Sequence, residues 1–250
     1  MSKENYPLVK TQIRLLKLLY KFRFGTTVLL SEYVGIEQTT MNRNLKKLMD
    51  RELITRHLTN TDRLEGKAAR YFLTTKGIKE LKVRTELDDG VVRSYYKNKT
   101  VSEVFIDHNL NIFSAYLTIQ KQYPGRFTAL TKSEVSKYEQ FPPIKPDLFL
   151  QSKNDSGDYF LYIYEDTQLF VIQKHIKQLI EHSEEEDYWG DTYPDVLIAA
   201  PNPSAERKII RRLENSLEDF DFFITTSKAL LAGNQHIWTD PTKLEEPIAL

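Results

Sequence analysis

Three apolar runs between residues 147 and 200 constrain this chain most: "DLFLQ" at 147–151, "DYFLYIYED" at 158–166 and "DVLIAA" at 195–200. Each has the length of a strand rather than of a helix. The segment "SKNDSGD" joins the first two as a hairpin, since Asn, Asp, Ser and Gly supply the backbone freedom of a turn. "DVLIAA" shows no polar alternation and therefore suits a sheet centre covered on both faces. Helical patterns at about 168–183 ("QLFVIQKHIKQLIEHS") and in "SAERKIIRRLENSLED" separate the later strands, with the acidic loop "EEEDYWGDTYP" between them. With "SEVFIDHNLNIFSAYLTIQKQY" and "RFTALTK" before and "FFITTS" after, the order from residue 102 is helix, three strands, helix, strand, helix, strand. That predicts an α/β sheet with helices on its faces.

The first 84 residues read differently. "PLVKTQIRLLKLLYKF" puts Leu8, Ile13, Leu16, Leu19 and Tyr20 on one side of a helix and Lys10, Arg14, Lys17 and Lys21 on the other. Gly25 and Thr26-Thr27 supply a break and an N-cap, and "VLLSEYVG" is a short second helix stopped by Gly35. A third helix spans about 37–50, where Met41, Leu45 and Leu48 fix the buried face. Thr39, Arg43 and Lys46 then point outward, flanked by Thr40, Asn42 and Lys47. Amide and guanidinium groups in such a row can bond base edges while Lys and Thr hold phosphates. A strand around Leu53–Leu58, a polar connection with Arg63 and Lys67, a strand at Ala69–Leu73 and a helix from Thr75 complete the order of a winged helix-turn-helix. The hairpin would bring Arg63, Lys67 and Arg70 to the backbone or minor groove.

Charge divides along the chain. Residues 1–84 hold 18 Lys and Arg against 8 Asp and Glu, whereas residues 85–250 hold 17 against 27, so the net charge of zero conceals two opposite regions. A basic first third suits a phosphate-binding surface. The expected organisation is a DNA-binding domain at 1–84, an aperiodic linker at 85–101 and an α/β domain at 102–250. The absence of cysteine excludes disulfides, thiolate zinc sites and cysteine nucleophiles. No signal-peptide pattern and no membrane-spanning run occurs, so a cytoplasmic protein without membrane contact is expected. Neither a glycine-rich phosphate loop nor a paired-histidine zinc pattern is present, and His108, alone in its helix, reads as a packing residue.

The later sheet resembles the PD-(D/E)xK restriction-endonuclease-like fold, on Pro146-Asp147 opening its second strand and an acidic dipeptide closing its third. Asp147 matches the first carboxylate of that pattern. With Glu165 as the second, Thr167 takes the lysine position, and with Asp166 it is Gln168. Neither register supplies the ammonium group that positions an attacking water, although Lys174 lies two turns into the next helix. Strand alternation sets Tyr162, Tyr164 and Asp166 on one face and Ile163 and Glu165 on the other. The expectation is a non-catalytic domain with no cofactor, or a vestigial Mg²⁺ site at Asp147 and Glu165.

Taken together, "DHNLNIFSAYL", "PDLFL", "YEDT" and the closing "FFITTSKALLAGNQHIWTDP" resemble the replication-relaxation family of plasmid and mobile-element proteins. The chain departs from that family where its acidic pair is commonly followed by Arg-Gly-Thr, since Asp166 runs directly into Thr167. The resemblance implies double-stranded DNA binding in plasmid replication, DNA relaxation or conjugative transfer, beside a replication initiator or relaxase. A winged helix of this size is expected to act as a homodimer on two half-sites. Two alternatives stand: a transcriptional repressor with a dimerising or effector-binding second domain, and an active metal-dependent endonuclease. Arg207, Lys208, Arg211 and Arg212 face a protein partner, DNA or solvent.

Overall fold

A computed structural model describes residues 7–153, 157–184, 192–214, 220–234, 236–243 and 248–250. The centre of the "SKNDSGD" turn, most of the acidic loop and the end of the "SAERKIIRRLENSLED" segment lie outside the described residues. The chain forms two compact units, residues 1–117 and 118–250.

In the first unit α1 (Lys10–Lys21), α2 (Thr27–Val34) and α3 (Gln38–Asp50) are followed by an antiparallel pair, β1 (Ile54–His57) and β2 (Arg70–Leu73), and by α5 (Thr75–Lys82). This is the helix-helix-helix-hairpin-helix order of a winged helix, in a mixed α/β chain. Local chemistry sets the boundaries. Thr26 accepts the Leu29 amide at 3.3 Å to start α2, and Gly35 stops it with a left-handed backbone, φ 75°. Leu15, Leu16 and Leu19 of α1 and Met41, Leu45 and Leu48 of α3 are all fully buried. Burying a side chain of that size contributes about 1.5–3 kcal/mol, so the apolar spacing of α3 fixes its rotation. Gly25, in the connection from α1, exchanges two backbone hydrogen bonds with Tyr71, at 3.0 and 2.8 Å, and ties the hairpin to the helices.

The hairpin connection is not a plain loop: it contains α4 (Asn60–Leu64), started by Thr59, whose hydroxyl accepts the Asp62 amide at 3.0 Å. Nor is 85–101 an aperiodic linker. It contains α6 (Asp89–Tyr95), capped by Asp88, which accepts the Val91 amide at 2.9 Å, and it buries Val91, Val92 and Tyr95. Arg23, at φ 68°, holds this segment through Asn98 Oδ1 at 2.6 Å and the Ser94 carbonyl at 2.7 Å. The compact first unit therefore extends through 85–117, into α7 (Glu103–Gln122), and the units divide at Leu117–Thr118 rather than near residue 101.

The second unit is a five-stranded sheet in the order β3 (Phe127–Thr131), β4 (Leu148–Ser152), β5 (Tyr159–Ile163), β6 (Asp195–Ala200), β7 (Phe222–Thr226). The first three form an antiparallel meander, and β5, β6 and β7 run parallel. A one-turn helix, α8 (Lys132–Val135), follows β3. The parallel crossovers carry α9 (Leu169–Ser183) and α10 (Pro203–Leu213), and α11 (Ser227–Ala232) follows β7. Successive right-handed crossovers in one direction put both helices on one face. Ile172, Ile176 and Leu179 of α9 and Ala205, Ile209 and Leu213 of α10 accordingly share a core with Phe149, Phe160, Tyr162, Val196, Ile198, Phe222 and Ile224. The intervening residues Leu161, Ile163, Leu197 and Ala199 are buried on the opposite face, which is why "DVLIAA" shows no alternation. At the outer edge of β7, Ile224 and Thr239 bond each other's backbones at 2.9 and 2.8 Å.

Candidate nucleic-acid interface

The turn between α2 and α3, Gly35–Glu37, presents α3 with its Met41, Leu45 and Leu48 face inward. Thr39, Thr40, Asn42, Arg43, Lys46 and Lys47 are all exposed on the remaining face. Among the described residues no carboxylate lies within ion-pair distance of Arg43, Lys46 or Lys47. Asn42 is oriented by Thr27, whose hydroxyl donates to its side-chain carbonyl at 3.0 Å and leaves the amide nitrogen as a donor for a ligand. Glu37, the residue before α3, accepts from the Thr39 hydroxyl at 3.3 Å. Beside it lies an open depression of about 730 Å³ whose lining includes Glu32 and Glu37. The leading end of α3 is therefore acidic, and anion contact falls to its middle and last turns, where Arg43, Lys46 and Lys47 stand.

The hairpin divides its cations. Arg63 on α4 is exposed. Lys67 is exposed and paired with Glu65 at 2.9 Å, and that bond raises its ammonium above the ordinary lysine value. Arg70 does not belong to this surface. It is 3% exposed and donates to Asp62 at 2.9 Å and to Glu103 at the start of α7. The Thr59 amide and hydroxyl, followed by Arg70, hold the Asp62 carboxyl below its ordinary value against the opposing effect of burial. Arg70 is thus the internal anchor of the hairpin, and the expectation of a DNA contact there is corrected. Arg56, absent from the sequence reading, is exposed on β1. Strand alternation gave no signal for it, because Ile54 and Arg56 are two residues apart and share a strand face, yet Ile54 is buried and Arg56 exposed.

At the strand ends of the second unit Asp147 is 8% exposed, with one carboxylate oxygen accepting the Ile163 amide at 2.8 Å. Strand β5 stops at Ile163, so Glu165 and Asp166 lie beyond it and do not share its alternation, while Tyr162 and Tyr164 do face the same core. Glu165 is half-buried and Asp166 exposed. Tyr164 and His175 Nδ1 are hydrogen-bonded at 3.0 Å. Burial pushes the Tyr164 hydroxyl up and the His175 imidazole down, the latter lowered further by Lys132 and Lys174. Lys145, two residues before Asp147, turns its ammonium to the Tyr138 and Phe141 carbonyls, at 3.1 and 2.9 Å. Among the described residues no group of three or more His, Asp or Glu is placed to hold a metal ion. A backbone-bonded carboxylate at Asp147 and a Glu165 outside the strand fit Mg²⁺ poorly, since that ion demands near-octahedral oxygen ligation.

No protein-family model and no curated protein matches the chain. Among solved structures, ZitR of Lactococcus lactis in complex with DNA is similar at a TM-score of 0.29 and 20% identity, over 49% of this chain and 79% of that one. ZitR is also described as a zinc-responsive MarR family member, and that structure gives a TM-score of 0.28 at 20% identity, over 49% and 80%. The adhesin competence repressor AdcR of Streptococcus pyogenes gives 0.28 and 19%, over 47% and 83%. At these TM-scores the likeness carries no functional argument. No helix among the described residues is long and apolar enough to cross a membrane.

Proposed function

We propose that the protein binds double-stranded DNA through α3, with the β1–β2 hairpin as the wing, and serves as an accessory factor in plasmid or mobile-element replication, relaxation or conjugative transfer. The observation that carries the DNA reading is the pairing of two faces on one helix. Met41, Leu45 and Leu48 are fully buried, while Arg43, Lys46 and Lys47 are exposed and unpaired among the described residues. Placed against a duplex, they would displace the cations condensed on its phosphate backbone. Asn42, with its carbonyl held by Thr27, is the candidate for reading an adenine edge. Arg63 and Arg56 supply the hairpin's contacts. The replicon role rests on the sequence resemblance, together with a second unit whose meander, crossover order and buried Asp147 are compatible with a non-catalytic PD-(D/E)xK-like domain. In that role the protein acts as a homodimer on paired half-sites beside a replication initiator or relaxase.

Footprinting on the host replicon tests the biological role: protection at an origin of replication or transfer supports it, and protection confined to promoters would move the protein to the repressor reading. For the interface, Arg43→Ala with Lys47→Ala should weaken duplex binding at least about tenfold and reduce the salt slope by about 2. Unaltered affinity and slope remove α3 from the interface.

A further inference from the structure

We propose that the exposed face of α10 is a separate seat for duplex DNA, holding backbone phosphates through Arg207, Lys208, Arg211 and Arg212; the inference rests on the DNA-binding reading above but uses a different surface. Ala205, Ile209 and Leu213 recur every fourth residue and are buried, which fixes the rotation of the helix. At 3.6 residues per turn, Arg207 and Arg211 then point directly away from the core, with Lys208 and Arg212 beside them on one flank. All four are exposed. Among the described residues none has a carboxylate within ion-pair distance. Three other cations of this unit have partners: Lys177 pairs with Glu181, Lys243 with Asp240, and Lys145 with two carbonyls.

The cluster runs against its surroundings. Residues 118–250 hold 14 Lys and Arg against 22 Asp and Glu, yet four of those fourteen cations fall between 207 and 212. Like charges at i and i+4, as at Arg207/Arg211 and Lys208/Arg212, oppose helix formation, and an anion laid across both rows relieves that opposition. The acidic groups on α10 are Glu206, half-buried on the other flank, where burial raises its carboxyl against the opposing effect of Arg207, and Glu214 at the last turn. The face carries no apolar anchor, because Ile210 packs against the core. Protein interfaces concentrate apolar and aromatic residues at their centre, whereas a phosphate-tracking surface needs cations alone. Three of the four are arginines, whose planar fork grips phosphate in bidentate fashion.

The test uses the full chain and a random-sequence duplex, with binding followed by fluorescence anisotropy over a range of salt. Arg207→Gln, Lys208→Gln, Arg211→Gln and Arg212→Gln together should reduce the slope of log K against log salt by about 3–4. The two half-variants should each remove about half of that, and lysine at positions 207, 211 and 212 should restore it. An unchanged slope in the quadruple variant overturns the inference. So does a variant that keeps its DNA slope but loses binding to polyglutamate, which would assign the surface to an acidic protein. Arg43→Gln with Lys46→Gln and Lys47→Gln separates the two readings. A slope lost only there retires α10 and leaves α3 standing. A slope lost only in the α10 variants retires α3 and supports α10.

Discussion

Arg70 donates to two carboxylates from an almost fully buried position, so removing its charge strands Asp62 at the base of the hairpin. Arg70→Met should lower the melting temperature by roughly 5–10 °C, while Arg63→Ala, on the surface, should leave it unchanged; equal effects in a thermal melt would reject this division. Asp62 adds a pH dependence. Its carboxyl is held low in the folded chain, so its stabilisation is fully present above the ordinary carboxylate value of about 4 and is lost as pH falls through the lower folded value. The gap in urea midpoint between wild type and Asp62→Asn should therefore be wide near pH 7 and narrow near pH 3. A gap of constant width would mean that shape, not charge, is what Asn fails to replace. The two arginines also show what the sequence withheld. Both read as hairpin cations, and the partner that removes Arg70 from the surface, Glu103, lies on a helix outside the hairpin. Arg43 and Lys46 were legible because their orientation follows from Met41, Leu45 and Leu48 within the same four turns.

Elements were legible in proportion to their length. The long helices and the winged-helix order carried their period in the sequence, every strand of the sheet was legible as a short apolar run, and β4 and β5 pair antiparallel as the turn between them implied. The one- and two-turn helices α4, α6, α8 and α11 did not, because so few residues establish no periodicity. In α6 the run Asp88-Asp89-Gly90 imitates a turn, whereas Asp88 is in fact an N-cap. One glycine shows how closely two elements meet. A Cβ on Gly77, in the first turn of α5, would stand 1.9 Å from the Leu53 carbonyl oxygen. That backbone is held in place because the Thr74 amide donates to the same oxygen at 3.1 Å. Alanine, ordinarily the better helix former, should here cost about 3 kcal/mol. Urea unfolding that finds Gly77→Ala neutral or stabilised would show that α5 and Leu53 are not so tightly apposed.

Across the whole molecule the two units carry opposite charge: residues 1–117 hold 21 Lys and Arg against 13 Asp and Glu, and residues 118–250 hold 14 against 22. A formal net charge of zero at pH 7 built from two opposed halves favours attraction between copies when salt is low. Solubility should therefore pass through a minimum near pH 7 in dilute buffer and rise as salt is added. Turbidity that is indifferent to salt would exclude such pairing. How copies could associate is narrowed by the backbone bonds between Ile224 and Thr239. Those bonds occupy donors and acceptors along the open side of β7, so a neighbouring molecule cannot simply extend the sheet past that strand. Among the described residues the opposite edge strand, β3, pairs only with β4, so a ladder shared between subunits would form on that side of the sheet.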